Sequence, residues 1–468
     1  MMRAFLDEHF LLSNETAIAL YESFAKDMPI IDYHCHISPQ QIYENHQFKN
    51  ITEIWLGGDH YKWRLMRANG VDESLITGDA DDYEKFLAWA RTVPMTLGNP
   101  LYHWSHLELQ RFFGITALLD ETTAPEIWQR TNELLATEDY RVRNLITKFN
   151  VQVICTTDDP TDTLEYHLKL KADDTFPVKV IPAFRPDKAL EVRRDTFVPW
   201  IKQLEQAIGA PISDYRALLD AITARAEYFH EVGCRASDHA LDTVPYTPTT
   251  LDEAARIFDK ALKGEDISLV EDHKYKTYTM VFLGKLYARL GWVMQLHMHA
   301  ARNNNTRMFQ RLGPDTGFDS MYDGQLAAPL CQLLNELEMT DSLPKTILYS
   351  LNPKDFPVLA ALLGSFQGGG IPGKLQLGAA WWFNDTKEGM LRQMQALADV
   401  GLLSQFVGML TDSRSFMSYP RHEYFRRLLC NLLGEWVEKG EAPNDMALLG
   451  KMVQAICYDN AKNYFSFT

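Results

Sequence analysis

The chain has no C-x-x-C pair, no internal repeat, no low-complexity tract, and no apolar run near the roughly 18 residues a membrane span requires. Each absence closes a class. The six cysteines, Cys35, Cys155, Cys234, Cys331, Cys430 and Cys457, are scattered singly, which excludes a zinc ribbon or a disulfide framework and suits buried thiols. The opening MMRAFLDEHF lacks the basic-then-apolar order of a signal peptide, so a cytoplasmic protein is expected. Basic residues are also in deficit: 46 Lys and Arg face 62 Asp and Glu, a formal charge of -16. That field disfavours nucleic acid and anionic membranes and leaves small molecules as the expected partners. An anionic small molecule would need local arginines to overcome it. The sequence leaves open whether the chain forms a homo-oligomer.

What is present is ordinary globular material, 46% hydrophobic and 23% charged over 468 residues, enough for a large core. Helical periodicity dominates, as in LYESFAKDM and EYFRRLLCNLLGEWVEKG. Between the helical stretches lie eight compact apolar segments that end in polar residues or in Asp-Pro, Arg-Pro or Asn-Pro. They are PIIDYHCH (29–36), VQVICTTDDP (151–160), VKVIPAFRP (178–186), VGCRASDH (232–239), VMQLHMH (293–299), KTILYSLNP (345–353), LQLGAAWWFN (375–384) and FVGMLTDSR (406–414). Doubly buried strands alternating with helices indicate a parallel sheet, and eight of them an α/β fold of the (β/α)8 TIM-barrel type over residues 1–468. Its active site would lie at the carboxyl ends of the strands. Two spacers exceed a minimal barrel, 38–148 after strand one and 240–290 after strand four. Both are expected as insertions on the catalytic side, the first mainly helical, capping the site.

Alternation along a strand puts Asp32, His34 and His36 on one face, with Tyr33 and Cys35 on the other. Two imidazoles at the end of a barrel strand suit a zinc-like divalent ion, although a hydrogen-bonded histidine pair would read the same. The fifth segment ends in His297 and His299, and the eighth carries Asp412 and Arg414. Together these offer imidazole and carboxylate from separate strands, with packing under the cap as the alternative for His297 and His299.

The H-x-H on strand one and the aspartate on strand eight resemble the amidohydrolase superfamily. IIDYHCHISP, DHYKWRLMRANGV (59–71), LYHWSHLELQRFFGI (101–115), QLHMHAARNNN (295–305) and LTDSRSF (410–416) narrow the resemblance to uronate (glucuronate) isomerases along nearly the whole chain. The chain departs from binuclear superfamily members, which use a lysine or glutamate on strand four and a histidine on strand six. Here those strands offer Arg235, Ser237 and Asp238, and Tyr349 and Ser350. One divalent metal, zinc, is therefore expected. The resemblance implies that His34, His36 and Asp412 bind it, with His297 a further ligand or a hydrogen-bond partner. It gives His299 no role.

The implied reaction is aldose–ketose isomerisation in hexuronate catabolism, D-glucuronate to D-fructuronate and D-galacturonate to D-tagaturonate, by proton transfer between C2 and C1 through an enediol(ate). The alternative is a mononuclear hydrolase or decarboxylase of the same superfamily. Arg185 and Arg414, at strand ends, could grip a carboxylate or an enediolate oxygen, with a structural ion pair as the alternative for each. His60 and Tyr61 are brought over the site by the resemblance. Trp382 is expected as a flat wall for the sugar, with Trp381 packed outward, and Arg64 and Arg67 as solvated or paired cap residues. Asp412, or Tyr61 helped by Arg414, is expected to move protons. Asp412 cannot be at once a tight metal ligand and a strong free base.

Overall fold

The structure is a computed structural model that describes residues 3–467. Seven parallel strands curl into a TIM-like α/β half-barrel: β1 (Ile30–Asp32), β2 (Val151–Asp158), β3 (Lys179–Phe184), β4 (Ala236–Leu241), β5 (Val293–Met298), β8 (Thr346–Ser350) and β9 (Leu375–Leu377). Their order in the sheet follows the chain, as expected where consecutive strands pair. The strands are buried almost throughout, β5 and β8 without exception. That is why they read as apolar runs with no polar alternation.

The eighth segment, 406–414, runs beside β1 without a regular ladder. Asp412 donates its N–H to the His34 carbonyl at 3.1 Å, and His36 donates to Ser413 at 2.9 Å. Elsewhere side chains replace backbone partners. The Asp32 carboxylate accepts from the Thr411 N–H (2.8 Å) and hydroxyl (2.6 Å), and Gln376 accepts from the Val407 N–H at 3.3 Å. Positive φ at Gly408 (81°) and Asp412 (46°) takes the segment out of strand geometry. Eight segments were expected as strands; seven are laddered and the eighth is held by these substitutes.

Residues between β1 and β2 form seven α-helices, from Pro39–Tyr43 to Val142–Thr147. Among them, His60–Ala68 starts at Asp59, whose carboxylate accepts from the N–H groups of Tyr61 and Lys62 and pairs with the buried Lys62 ammonium. After β4 come Leu251–Leu262 and Leu269–Leu290, each opened by a capping box, Thr250 with Glu253 and Ser268 with Glu271. A third excursion, which sequence patterning did not single out, follows β5. There β6 (Ala300–Ala301) pairs antiparallel with β7 (Ser320–Met321) around the helix Thr306–Leu312. Among the described residues no helix is long and apolar enough to cross a membrane.

Below the strand ends, His297 stacks on Tyr349 at 4.2 Å and 4°. A Cβ on Gly378 would lie 2.2 Å from the Tyr349 ring, so glycine there leaves room for the ring that supports the histidine. Gly378→Ala is expected to lower the unfolding free energy by about 1–3 kcal/mol through overpacking. Tyr349→Leu should relieve much of that loss in the double variant. Denaturant melts of the four proteins measure the coupling, and strictly additive losses would show that the ring is not what excludes the methyl.

Candidate active site

A cavity of about 420 Å³ opens at the carboxyl ends of the strands, with His34, His36, His60, Tyr61, Arg185, His297, Trp382, Asp412 and Arg414 all on its wall. Every candidate site residue from the sequence is therefore brought to one place. His34 and His36 follow β1 directly, with ring centroids 5.2 Å apart. Their Nε2 atoms lie 3.2 and 3.1 Å from a single oxygen, Asp412 Oδ1. Burial pushes the Asp412 carboxyl up, but hydrogen bonds from His34 and His36 more than reverse this and hold it well below the usual carboxylate range.

Asp238, at the heart of β4, forms a second buried anion. Its Oδ1 accepts from His297 Nδ1 at 2.7 Å, and its Oδ2 accepts from Arg185. Burial alone would raise this carboxyl, yet Arg185, His34 and His297 bring it well below its ordinary value. His297 is lowered by burial despite Asp238, so it is a neutral ring that donates from Nδ1 and keeps a lone pair on Nε2. That Nε2 and His34 Nδ1 are buried with no hydrogen-bond partner among the described residues.

These donors fit one divalent ion. Ligand atoms about 2.0 Å from a tetrahedral centre lie about 3.3 Å apart. The His34 and His36 distances to Asp412 match that edge. A second triplet, His34, Asp238 and His297, is also close enough to consider. Both Asp238 oxygens are already committed, to His297 and to Arg185, which suits a hydrogen-bonding role better than ligation.

At the cavity mouth, Arg414 reaches Asp315 at 3.0 Å, and Arg302 lies 4.8 Å over the Trp382 ring. His60 stacks on Tyr61 at 4.8 Å, and its Nδ1 is buried without a partner among the described residues. Burial, then the neighbouring Arg414 charge, lowers its pKa. Tyr61 is pushed well above the usual phenol range by burial and by Asp412. Arg64 and Arg67 are paired: Arg64 donates to the Gly317 and Asp319 carbonyls at 2.9 and 2.7 Å, while Arg67 forks onto Glu73 and reaches the Thr316 carbonyl. His299 points away, its Nδ1 2.8 Å from Asp355.

One expectation is corrected. Trp381 does not pack outward: its indole N–H donates to Asp412 Oδ2 at 2.8 Å, and both tryptophans wall the cavity. β9 has already ended at Leu377, and positive φ at Trp381 (69°) and Trp382 (46°) breaks the alternation on which the expectation rested. Sequence reasoning also gave no place to Asp315, Arg302 or Arg421, all on the cavity wall. Arg302 lay inside QLHMHAARNNN, and its charge a few residues past His297 and His299 was the available signal.

The family described as glucuronate isomerase matches residues 2–465. The chain belongs to the glucuronate isomerase family. Uronate isomerase of Caldicellulosiruptor bescii is 64% identical over 466 residues, covering 100% of both chains, and that of Bacillus subtilis is 61% identical, covering 100% of this chain and 98% of the relative. The crystal structure of uronate isomerase from Thermotoga maritima superimposes with a TM-score of 0.94 at 37% identity, covering 99% of this chain and 100% of that one. In this glucuronate isomerase fold the His34–His36–Asp412 cluster is the feature best suited to a cation. His36→Ala is expected to abolish metal retention, and Trp381→Phe to weaken affinity by about 10- to 100-fold. Titration against a chromophoric chelator measures both. Unchanged affinity in Trp381→Phe would show that the indole bond does not tune Asp412.

Proposed function

We propose that the chain interconverts D-glucuronate with D-fructuronate and D-galacturonate with D-tagaturonate in the cytoplasm, with one zinc ion held by His34, His36 and Asp412. The observation that carries this reading is a cavity with a cation-ready cluster at its floor and guanidinium groups at its mouth, in a chain of net charge -16 that belongs to this isomerase family. A substrate with an aldehyde at one end and a carboxylate at the other matches that polarity. Membership of the family leaves the hydrolase or decarboxylase alternative without support of its own.

When bound, the zinc ion supplies Lewis-acid charge at the reacting end of the sugar. The residues do the rest. Arg414 and Arg302 hold the substrate carboxylate, and Trp382 lies against the carbon chain. Arg185 is locked to Asp238, so in this reading it fixes that carboxylate and keeps His297 neutral and oriented. Asp412, with Oδ1 facing two imidazoles and Oδ2 on an indole, is too stabilised to pull a proton from carbon; it accepts only the hydroxyl proton during ring opening.

Transfer between C2 and C1 falls to Tyr61. Burial keeps it as the phenol at rest. In ring opening that phenol protonates the departing ring oxygen while Asp412 takes the anomeric hydroxyl proton. The phenolate so formed takes the C2 proton and, as phenol, returns it to C1 while the O2 proton passes to O1. The Arg421 guanidinium, 5.8 Å over the Tyr61 ring, supplies the countercharge. In this reading the helices between β1 and β2 and the β5 excursion, which carries Arg302 and Asp315 of the cavity wall, cap the site and exclude water from the enediolate. The 240–290 spacer, expected as part of the cap, contributes no residue to that wall.

Incubation of the protein with each uronate, with and without a chelator and added zinc, tests the function by ketose formation. No ketose under any condition refutes it. Tyr61→Phe should lower kcat by about 10²- to 10⁴-fold with little change in KM, the range general acid–base groups contribute. In heavy water the wild type should place deuterium at C1 of the product; a Tyr61→Phe enzyme with full kcat would move the transfer to another group.

A further inference from the structure

Two consecutive bulky residues, Trp381 and Trp382, sit in the left-handed region at φ 69° and 46°. Side chains of that size adopt this conformation only where surrounding contacts over-determine it. Three hydrogen bonds close the turn. Asn384 and Asp385 donate their N–H groups to the Trp381 and Trp382 carbonyls at 2.9 and 3.0 Å, and Asp385 Oδ1 accepts from the Trp381 N–H at 2.9 Å. Asn384 also ties the turn to the end of β8 through the Leu351 carbonyl at 2.9 Å.

Asp385 is 2% exposed, and its Oδ2 has no partner among the described residues. A buried carboxyl with an unsatisfied oxygen is unfavourable, so its persistence calls for a use. The two indoles give one. Trp381 bonds Asp412 and lies 4.7 Å from the His297 ring, whereas Trp382 packs edge-on to His60 and face-on to Arg302. Relaxing the turn would move both at once.

We infer that Asp385 is a positioning residue: by accepting from the Trp381 N–H it clamps the left-handed turn and so aims one indole at Asp412 and the other at the sugar. The inference rests on the isomerase reading only for its kinetic readout; its metal-affinity readout stands apart from substrate. Burial pushes the Asp385 carboxyl up to about 7, against Arg421. A neutral amide of the same shape therefore mimics a form that is populated at neutral pH.

The test compares D385A and D385N in the full-length, zinc-loaded protein. D385A should raise KM for D-glucuronate and lower kcat, each about tenfold, and weaken zinc affinity about tenfold in chelator competition. D385N should stay within about threefold of wild type on all three, because the acceptor remains. A D385A enzyme with KM and zinc affinity unchanged would overturn the clamp, since a smaller folded fraction lowers only apparent kcat. So would a D385N enzyme as impaired as D385A, which would make the proton or charge, and not the acceptor, the point. Should D385A not fold, Asp385→Ser carries the same test: shifts in KM and zinc affinity support the clamp, and their absence overturns it. If neither uronate is turned over by wild type, the isomerase reading fails while the zinc-affinity comparison still decides the clamp.

Discussion

The Asp412 carboxylate is the constraint on which the rest of the site depends. The side chain is only 11% exposed and its pKa is held well below the usual carboxylate range, a state that costs several kcal/mol unless donors surround it. Its donors come from far apart in the chain: two imidazoles from the end of β1 and an indole from beyond β9. The barrel brings those ends together, and Asp32, by holding the Thr411 N–H and hydroxyl, fixes where the segment carrying Asp412 stops. Asp238 is its counterpart across His34. It is sandwiched by Arg185 and His297, so the core of the cavity contains two anions, each matched by cationic or polarised rings. The arginines that an acidic protein needs for an anionic ligand are therefore partly spent within the protein, Arg185 on Asp238 and Arg414 on Asp315.

Much of this was legible from sequence for a physical reason. Strands buried on both faces leave short apolar runs, and the polar residues that end them fall on the catalytic rim; His34, His36, His297, Arg185 and Asp412 were all found that way. Period-two reasoning failed where the backbone leaves strand geometry. Trp381 turned inward because the turn after β9 is left-handed, and segment 406–414 lost its ladder at Gly408 and Asp412. Asp238 was read as the absence of a bridging ligand, when its value lies in orienting His297. The excursion carrying Arg302 and Asp315 is nearly as long as the spacer after β4 but was not singled out, and its approach to the cavity shows only in three dimensions.

Part of the backbone strain lies at the rim. Non-glycine residues with positive φ end β5 at His299, follow β9 at Trp381 and Trp382, and close the eighth segment at Asp412. Each of these turns redirects a side chain that a continuing strand would have aimed elsewhere. A rigid sheet with bent ends can thus present groups at angles that no single strand could supply.

Arg64 and Arg67 hold the β5 excursion to the helix His60–Ala68 by grasping main-chain carbonyls of residues 316, 317 and 319. Any residue has a carbonyl, so the grasped segment can drift in sequence while the latch persists. The exception is Gly317, where φ is 96° and a Cβ would meet the Arg67 guanidinium at 2.9 Å. Two parts of the chain some 250 residues apart can therefore stay docked over evolutionary time with almost no correlated substitution between them, and a search for paired changes would overlook the joint that keeps Arg302 near His60.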